Sequence, residues 1–206
     1  MPMHRRIIQA ALLLAAGTAS SLALAHTGTD AHAHLSSVSN FVAGLVHPLT
    51  GLDHMAVMVC VGLWSAMSAR RLGPELVWGP LAFANLLLVG AALGLQGVEV
   101  MAVEPMIAAS VVIMGLLVAA RAQLPGAAGA MLCGVFALFH GQAHGLELAN
   151  NANAFQTLAG MLLATVALHG TGIAIGWTLR NRSVWVPRTL GAIVAALGGA
   201  LLLQLS

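Results

Sequence analysis

Six long apolar runs fill most of the chain after residue 50, and they decide what it can fold into. They cover residues 52–69, 76–95, 100–120, 126–146, 154–179 and 188–205. A helix needs about 20 apolar residues to cross a bilayer, so each run predicts one crossing. Because 59% of the residues are hydrophobic and only 7% are charged, little polar surface remains for a soluble domain. We expect an all-α, polytopic membrane helical bundle of about six transmembrane helices over residues 35–206.

The N-terminus has the features of a cleavable signal peptide. A basic start and a short apolar core precede an A-x-A cleavage motif that ends at Ala25. We therefore expect residues 1–25 to be removed and the mature chain to begin at His26. Residues 26–34 would then form a His-containing tail in the periplasm. A later cut after Ala33, farther from the apolar core, and an uncleaved anchor are the alternative interpretations.

The arginines predict how the chain is oriented in the membrane. Every second connector between apolar runs is basic, and the connectors between them hold no basic residue. The basic connectors hold arginine at positions 70 and 71, at 121, and at 180, 182 and 188. The positive-inside rule places these connectors in the cytoplasm, with both mature termini in the periplasm of a bacterial inner membrane. This leaves no room for another crossing, so residues 35–49 are expected to be a short re-entrant or interfacial segment. Nothing in the charge pattern indicates nucleic-acid binding.

The first polar motif is His-Pro-Leu-Thr-Gly-Leu-Asp-His at residues 47–54. Pro48 disfavours a helical conformation at His47, and Gly51 permits a turn. We therefore expect the short segment to end here and a new helix to begin near Leu52.

Two interpretations of Asp53 remain open at this break. With Thr50 it resembles a capping box, in which Asp53 would bond to the free amides of the new helix. Alternatively, the broken helix brings Asp53 together with His47 and His54 as an ion site, as transporters commonly do.

The second motif is Phe-His-Gly-Gln-Ala-His-Gly-Leu-Glu at residues 139–147. On a helix, His140, His144 and Glu147 have the spacing i, i+4 and i+7 and project from one face. Two imidazoles one turn apart can share one ion, although each could instead bond to a neighbouring helix. Ionisable groups are costly inside a membrane, so three aligned ones favour a functional site.

Two further positions carry weaker signals. Glu99 and Glu104 are five residues apart and therefore face different directions. We expect Glu104 to face the bundle interior, because it lies deeper in its apolar run, and Glu99 to be a solvated loop charge. His169 is equally compatible with a pathway ligand and with a helix-packing histidine.

The predicted topology places these groups at the same periplasmic end of the bundle. Imidazole with carboxylate suits nickel, cobalt, zinc or copper better than magnesium or calcium. The free amine and imidazole of His26 could also chelate an ion. The candidate metal ligands are His47, Asp53, His54, Glu104, His140, His144, Glu147 and His26. We expect a transported metal ion and the lipid bilayer as partners, no prosthetic group, and no ATP-binding glycine loop.

These two motifs resemble the HupE/UreJ family of nickel and cobalt permeases. The match rests on His-Pro-x-x-Gly-x-Asp-His at 47–54 and Phe-His-Gly-x-Ala-His-Gly-x-Glu at 139–147. Supporting similarity comes from His26-Thr27-Gly28, Phe83, and Glu104 followed by Ser110 and Gly115. The resemblance implies uptake of nickel, or next cobalt, for metalloenzymes such as hydrogenase or urease. It also implies functional roles for His47, Asp53, His54, Glu104, His144 and Glu147, and more weakly for Phe83.

Two other functions remain open at this point. One is an intramembrane metal-dependent oxidase or hydrolase that uses His140-x-x-x-His144 as a ligand pair. Membrane di-iron enzymes of that kind generally need more histidines, at the cytoplasmic face, so we expect that the protein is not an enzyme. The other is a metal-binding accessory protein, a sensor or chaperone, whose His-containing tail binds metal without transport.

Overall fold

The structure, a computed structural model, describes residues 37–69, 71–181 and 184–205. These ranges hold seven α-helices, one short 3-10 helix (Pro74–Leu76) and no strand. The α-helices are α1 Ser37–Thr50, α2 Leu52–Ser68, α3 Trp78–Leu95, α4 Val103–Ala120, α5 Gly126–Glu147, α6 Ala154–Leu179 and α7 Trp185–Gln204. The predicted signal peptide (1–25) and tail (26–34), with His26, lie outside the described residues.

The helices agree with the predicted membrane crossings. The five helices α3 to α7 are each long and apolar enough to cross a bilayer, and the bent pair α1 and α2 makes a sixth candidate. The ends of α2 to α7 lie within three residues of the predicted runs. The prediction of an all-α membrane bundle with about six crossings is therefore confirmed.

The break between α1 and α2 positions the site. The two helices meet at 81°, and the bend lies at Gly51, whose backbone is extended with φ −90° and ψ 114°. With 14 residues, α1 is about 21 Å long, which is shorter than the hydrocarbon core of about 30 Å. The short segment predicted for residues 35–49 is thus a helix that cannot cross alone.

The predicted break within residues 47–54 lies at Gly51, and Pro48 does not end the helix. The helix α1 continues through His47 and Pro48 to Thr50, and the chain leaves it only at Gly51. Proline removes one backbone donor, which leaves the carbonyl of Gly44 without its usual helical partner. Pro48 is fully buried, so packing offsets part of this cost. The start of α2 at Leu52 is as predicted.

Close helix pairs hold the bundle together. The main pairs are α3 with α5, α4 with α7, and α2 with α6, and α1 also packs on α6. Glycines allow the backbones to touch, as is common in membrane helices. A Cβ atom on Gly141 of α5 would overlap the carbonyl oxygen of Leu87 in α3, and one on Gly62 of α2 would overlap that of His169 in α6. These contacts fix the helices that hold the histidines.

Candidate metal centre

The outer part of the site is a cluster of three side chains, which we call the mouth: His47, His144 and Glu147. One ligand atom from each residue lies within 4.8 Å of the other two, and Nε2 of His47 is 3.9 Å from Oε2 of Glu147. The side chain of Glu147 is 58% exposed and that of His47 is 35% exposed, whereas His144 is buried. The mouth is therefore open on one side and closed on the other.

The mouth can accept a metal ion after a small movement. Ligand atoms in a tetrahedral site with bonds of about 2.1 Å are about 3.4 Å apart, so the mouth must contract by about an ångström. The exposed side chain of Glu147 is free of tight packing and can make this movement. The C-terminal ends of α1 and α5 also meet here, and the negative ends of their dipoles favour a cation.

A second layer lies inward of the mouth and is formed by His54 and His140. The ring centroid of His54 is 4.8 Å from that of His144 and 4.9 Å from that of His140. The ring of His47 is in turn 5.0 Å from that of His144. Four imidazoles thus form a continuous series from the half-exposed His47 to the fully buried His140.

The preceding residue, Asp53, determines which ring nitrogen of His54 carries the hydrogen. Its Nδ1 is 3.0 Å from Oδ1 of Asp53, and an ionised carboxylate only accepts hydrogen bonds. Nδ1 therefore carries the hydrogen, and Nε2 carries the lone pair. That Nε2 is buried and has no hydrogen-bond partner. A carboxylate behind a histidine in this way is the usual support for a metal ligand.

A residue of a different helix determines which ring nitrogen of His140 carries the hydrogen. The hydroxyl of Ser110 in α4 donates its only hydrogen to the carbonyl of Ile107. It can therefore only accept from Nε2 of His140, which lies 3.0 Å away. This leaves a lone pair on Nδ1 of His140, which is buried and has no hydrogen-bond partner. Both histidines of the second layer thus offer an unused ligand atom.

The structure supports part of each interpretation of Asp53. Thr50 does not cap α2, because it belongs to the last turn of α1 and donates to the carbonyl of His47, and the residue before α2 is Gly51. The carboxylate of Asp53 nevertheless interacts with the backbone N–H of His54 in the first turn of α2, and its Oδ1 lies 3.0 Å from Nδ1 of the same histidine. A role for Asp53 in an ion site stays a prediction.

The other predicted residues are placed as follows. The three ionisable residues of α5 face one side, but His140 pairs with His54 and Ser110, whereas His144 joins the mouth. Glu104 lies in the first turn of α4 with an exposed side chain, so the expectation that it faces the bundle interior is wrong. A role for Glu104 in metal binding stays a prediction.

One supporting residue was not assigned a role from the sequence. Ser110 orients His140, yet the sequence marks it only as a single hydroxyl within the apolar run of residues 100–120 and as one position of the family resemblance. Its partner lies 30 residues away in the chain, so the pairing becomes visible only in three dimensions.

These features define a class: a helical membrane protein with a layered imidazole and carboxylate site that suits first-row divalent transition metals. The family model for the HupE / UreJ protein matches residues 13–201. The chain is also 42% identical over 192 residues to Protein HupE of Rhizobium leguminosarum bv. viciae, which covers 92% of this chain and 94% of that protein. The chain therefore belongs to the HupE/UreJ family. No solved structure matches it.

Proposed function

We propose that this protein is a permease that carries a divalent transition-metal ion, nickel first and cobalt next, across the bacterial inner membrane. The imported metal would supply the maturation of metalloenzymes such as hydrogenase or urease. The observation that carries the proposal is the convergence of His47, His144 and Glu147 from two helices at an open mouth. Membership of the HupE/UreJ family supports the same function.

The layered arrangement suits movement better than permanent storage. Each layer offers only two or three protein ligands, so an ion there would keep some water and remain exchangeable. Conduction needs sites that bind well enough to admit an ion and weakly enough to release it. Asp53 and Glu147 add two carboxylates, whose charge would offset that of the divalent ion in a poorly solvated place.

The arginines support a mouth that faces the periplasm. The mouth lies at the C-terminal end of α5, beside the arginine-free connector of residues 148–153. Arg121 and Arg180 lie at the other end of the bundle, where the guanidinium of Arg121 donates to the carbonyl of Arg180. The positive-inside rule places that end in the cytoplasm. The mouth would therefore open to the periplasm.

Sealed lipid vesicles that contain only the purified protein provide the test. Addition of nickel, cobalt, zinc or copper should give accumulation that increases with time, fastest for nickel and next for cobalt, and absent from protein-free vesicles. The His144→Ala protein should insert normally and accumulate little metal. Metal binding without accumulation would instead identify an accessory protein or an enzyme and would contradict the proposal.

A further inference from the structure

His169 lies in the middle of α6 and offers an unused ligand atom in the core. Its side chain is 3% exposed, and its Nδ1 is 2.8 Å from the carbonyl oxygen of Met58 in α2. A carbonyl only accepts, so Nδ1 carries the hydrogen and Nε2 carries the lone pair. That Nε2 is buried without a hydrogen-bond partner. Packing between α2 and α6 accounts for the hydrogen bond of Nδ1, but it does not account for the buried Nε2 without a partner.

The ring of Phe83 joins His169 to the second layer of the site. Its centroid is 5.7 Å from that of His140 and 5.1 Å from that of His169, and the side chain is fully buried. Phe83 thus contacts His140, the most buried imidazole of the layered site, and also contacts His169. An ion that moved between these two imidazoles would meet the ring of Phe83.

A cavity of about 520 Å³ lies nearer the other end of the bundle, and neither Phe83 nor His169 lines it. Gly79, one turn before Phe83 on α3, lines it, and so does Ser65 near the C-terminal end of α2. The hydroxyl of Ser65 is buried without a hydrogen-bond partner, and Glu75 adds a carboxylate to the wall. The cavity therefore offers oxygen ligands on the side of Phe83 away from the mouth.

We propose that His169 is a further metal ligand, which receives the divalent ion from His54 and His140 past the ring of Phe83 and passes it toward this cavity. The inference rests on the proposed transport function and extends it to the inner half of the route. Nε2 of His169 is the binding atom, while its Nδ1 holds the ring in place through Met58.

Substitution of His169 by asparagine tests the roles of the two ring nitrogens separately. The amide nitrogen of asparagine occupies nearly the position of Nδ1 and can still donate to Met58, but nothing replaces Nε2. A packing role therefore predicts normal transport by His169→Asn, and a ligand role predicts its loss. Thr165→Val is the matched control, because Thr165 is buried one turn away on α6 and its hydroxyl bonds only within its own helix, to Met161.

The experiment measures nickel uptake into vesicles and cobalt binding in detergent for the same proteins. We expect His169→Asn to transport roughly tenfold or more slowly, a loss typical of altered metal sites, with cobalt affinity within about twofold of wild type because the mouth is intact. Thr165→Val should match wild type in both measurements. Equal transport by His169→Asn and wild type would overturn the inference and leave the proposed function standing.

Two further outcomes would also contradict the inference. Loss of both cobalt binding and transport in His169→Asn would make His169 part of the first binding site or of the fold, rather than a later ligand. Absence of transport by wild-type protein would refute the proposed function, and the inference with it. The melting temperature of each variant in detergent shows whether the fold has been retained.

Discussion

Replacement of Glu147 by glutamine should weaken metal uptake without harm to the fold. The substitution keeps the size of the side chain and one oxygen but removes the charge, which lies 3.9 Å from His47. A divalent ion about 4 Å from a unit charge gains about 2 kcal/mol in water-like surroundings. The dielectric constant of water is used for this energy because the side chain is 58% exposed. Since 1.4 kcal/mol is a factor of ten, metal binding should weaken roughly 30-fold.

The assay is the initial rate of nickel uptake over a range of nickel concentrations, in cells or vesicles with matched amounts of protein. The half-saturating concentration should rise by roughly 30-fold for Glu147→Gln. Glu99→Gln is the matched control, because Glu99 is another exposed carboxylate in a connector that contacts the same end of α5 but is outside the ligand set of the mouth, and it should raise the half-saturating concentration far less. Unchanged half-saturation in Glu147→Gln would refute the reasoning and leave the end of α5 as scaffold.

Three other perturbations test separate parts of the account. Ser110→Ala should slow nickel uptake roughly tenfold, because Nε2 of His140 loses the hydroxyl that holds its hydrogen, while cobalt binding at the mouth and the melting temperature stay near those of wild type. Gly141→Val should lower the melting temperature and the amount of inserted protein, because its side chain would meet the backbone of α3. Gly199→Ala is the control, because a Cβ atom at Gly199 would have no neighbour within 4 Å. It should change neither the melting temperature nor the amount of inserted protein. Mass spectrometry of the membrane-purified chain should show a mature start at His26, and an intact Met1 would contradict the signal-peptide prediction.

The sequence predicts the helices well because the signal is local. Each apolar run is bounded by polar residues, glycine or proline, so the starts of α2, α5 and α6 at Leu52, Gly126 and Ala154 agree with the predicted runs. Two motifs that are far apart in sequence were also expected at one end of the bundle, since the alternating arginines determine which helix ends share a side. The structure brings His47 of the first motif to His144 of the second.

Other features depend on distant contacts and could not be predicted. Pro48 stays helical although it lacks a donor, and its burial offsets part of that cost. Thr50 does not cap α2 because it belongs to the last turn of α1. The proton positions of His140 and His169 depend on partners 30 and 111 residues away. Periodicity shows only that a histidine faces inward, and the nitrogen that remains free follows from the neighbouring helix.

X-ray absorption at the nickel edge, recorded on purified protein with one equivalent of nickel, tests most directly whether the histidines bind the transported ion. The account predicts nitrogen or oxygen neighbours at about 2 Å together with the outer-shell scattering of at least two imidazoles. In His144→Ala the imidazole scattering should decrease. A spectrum of six water-like oxygens, with no imidazole contribution in the wild-type protein and no change in His144→Ala, would contradict the account.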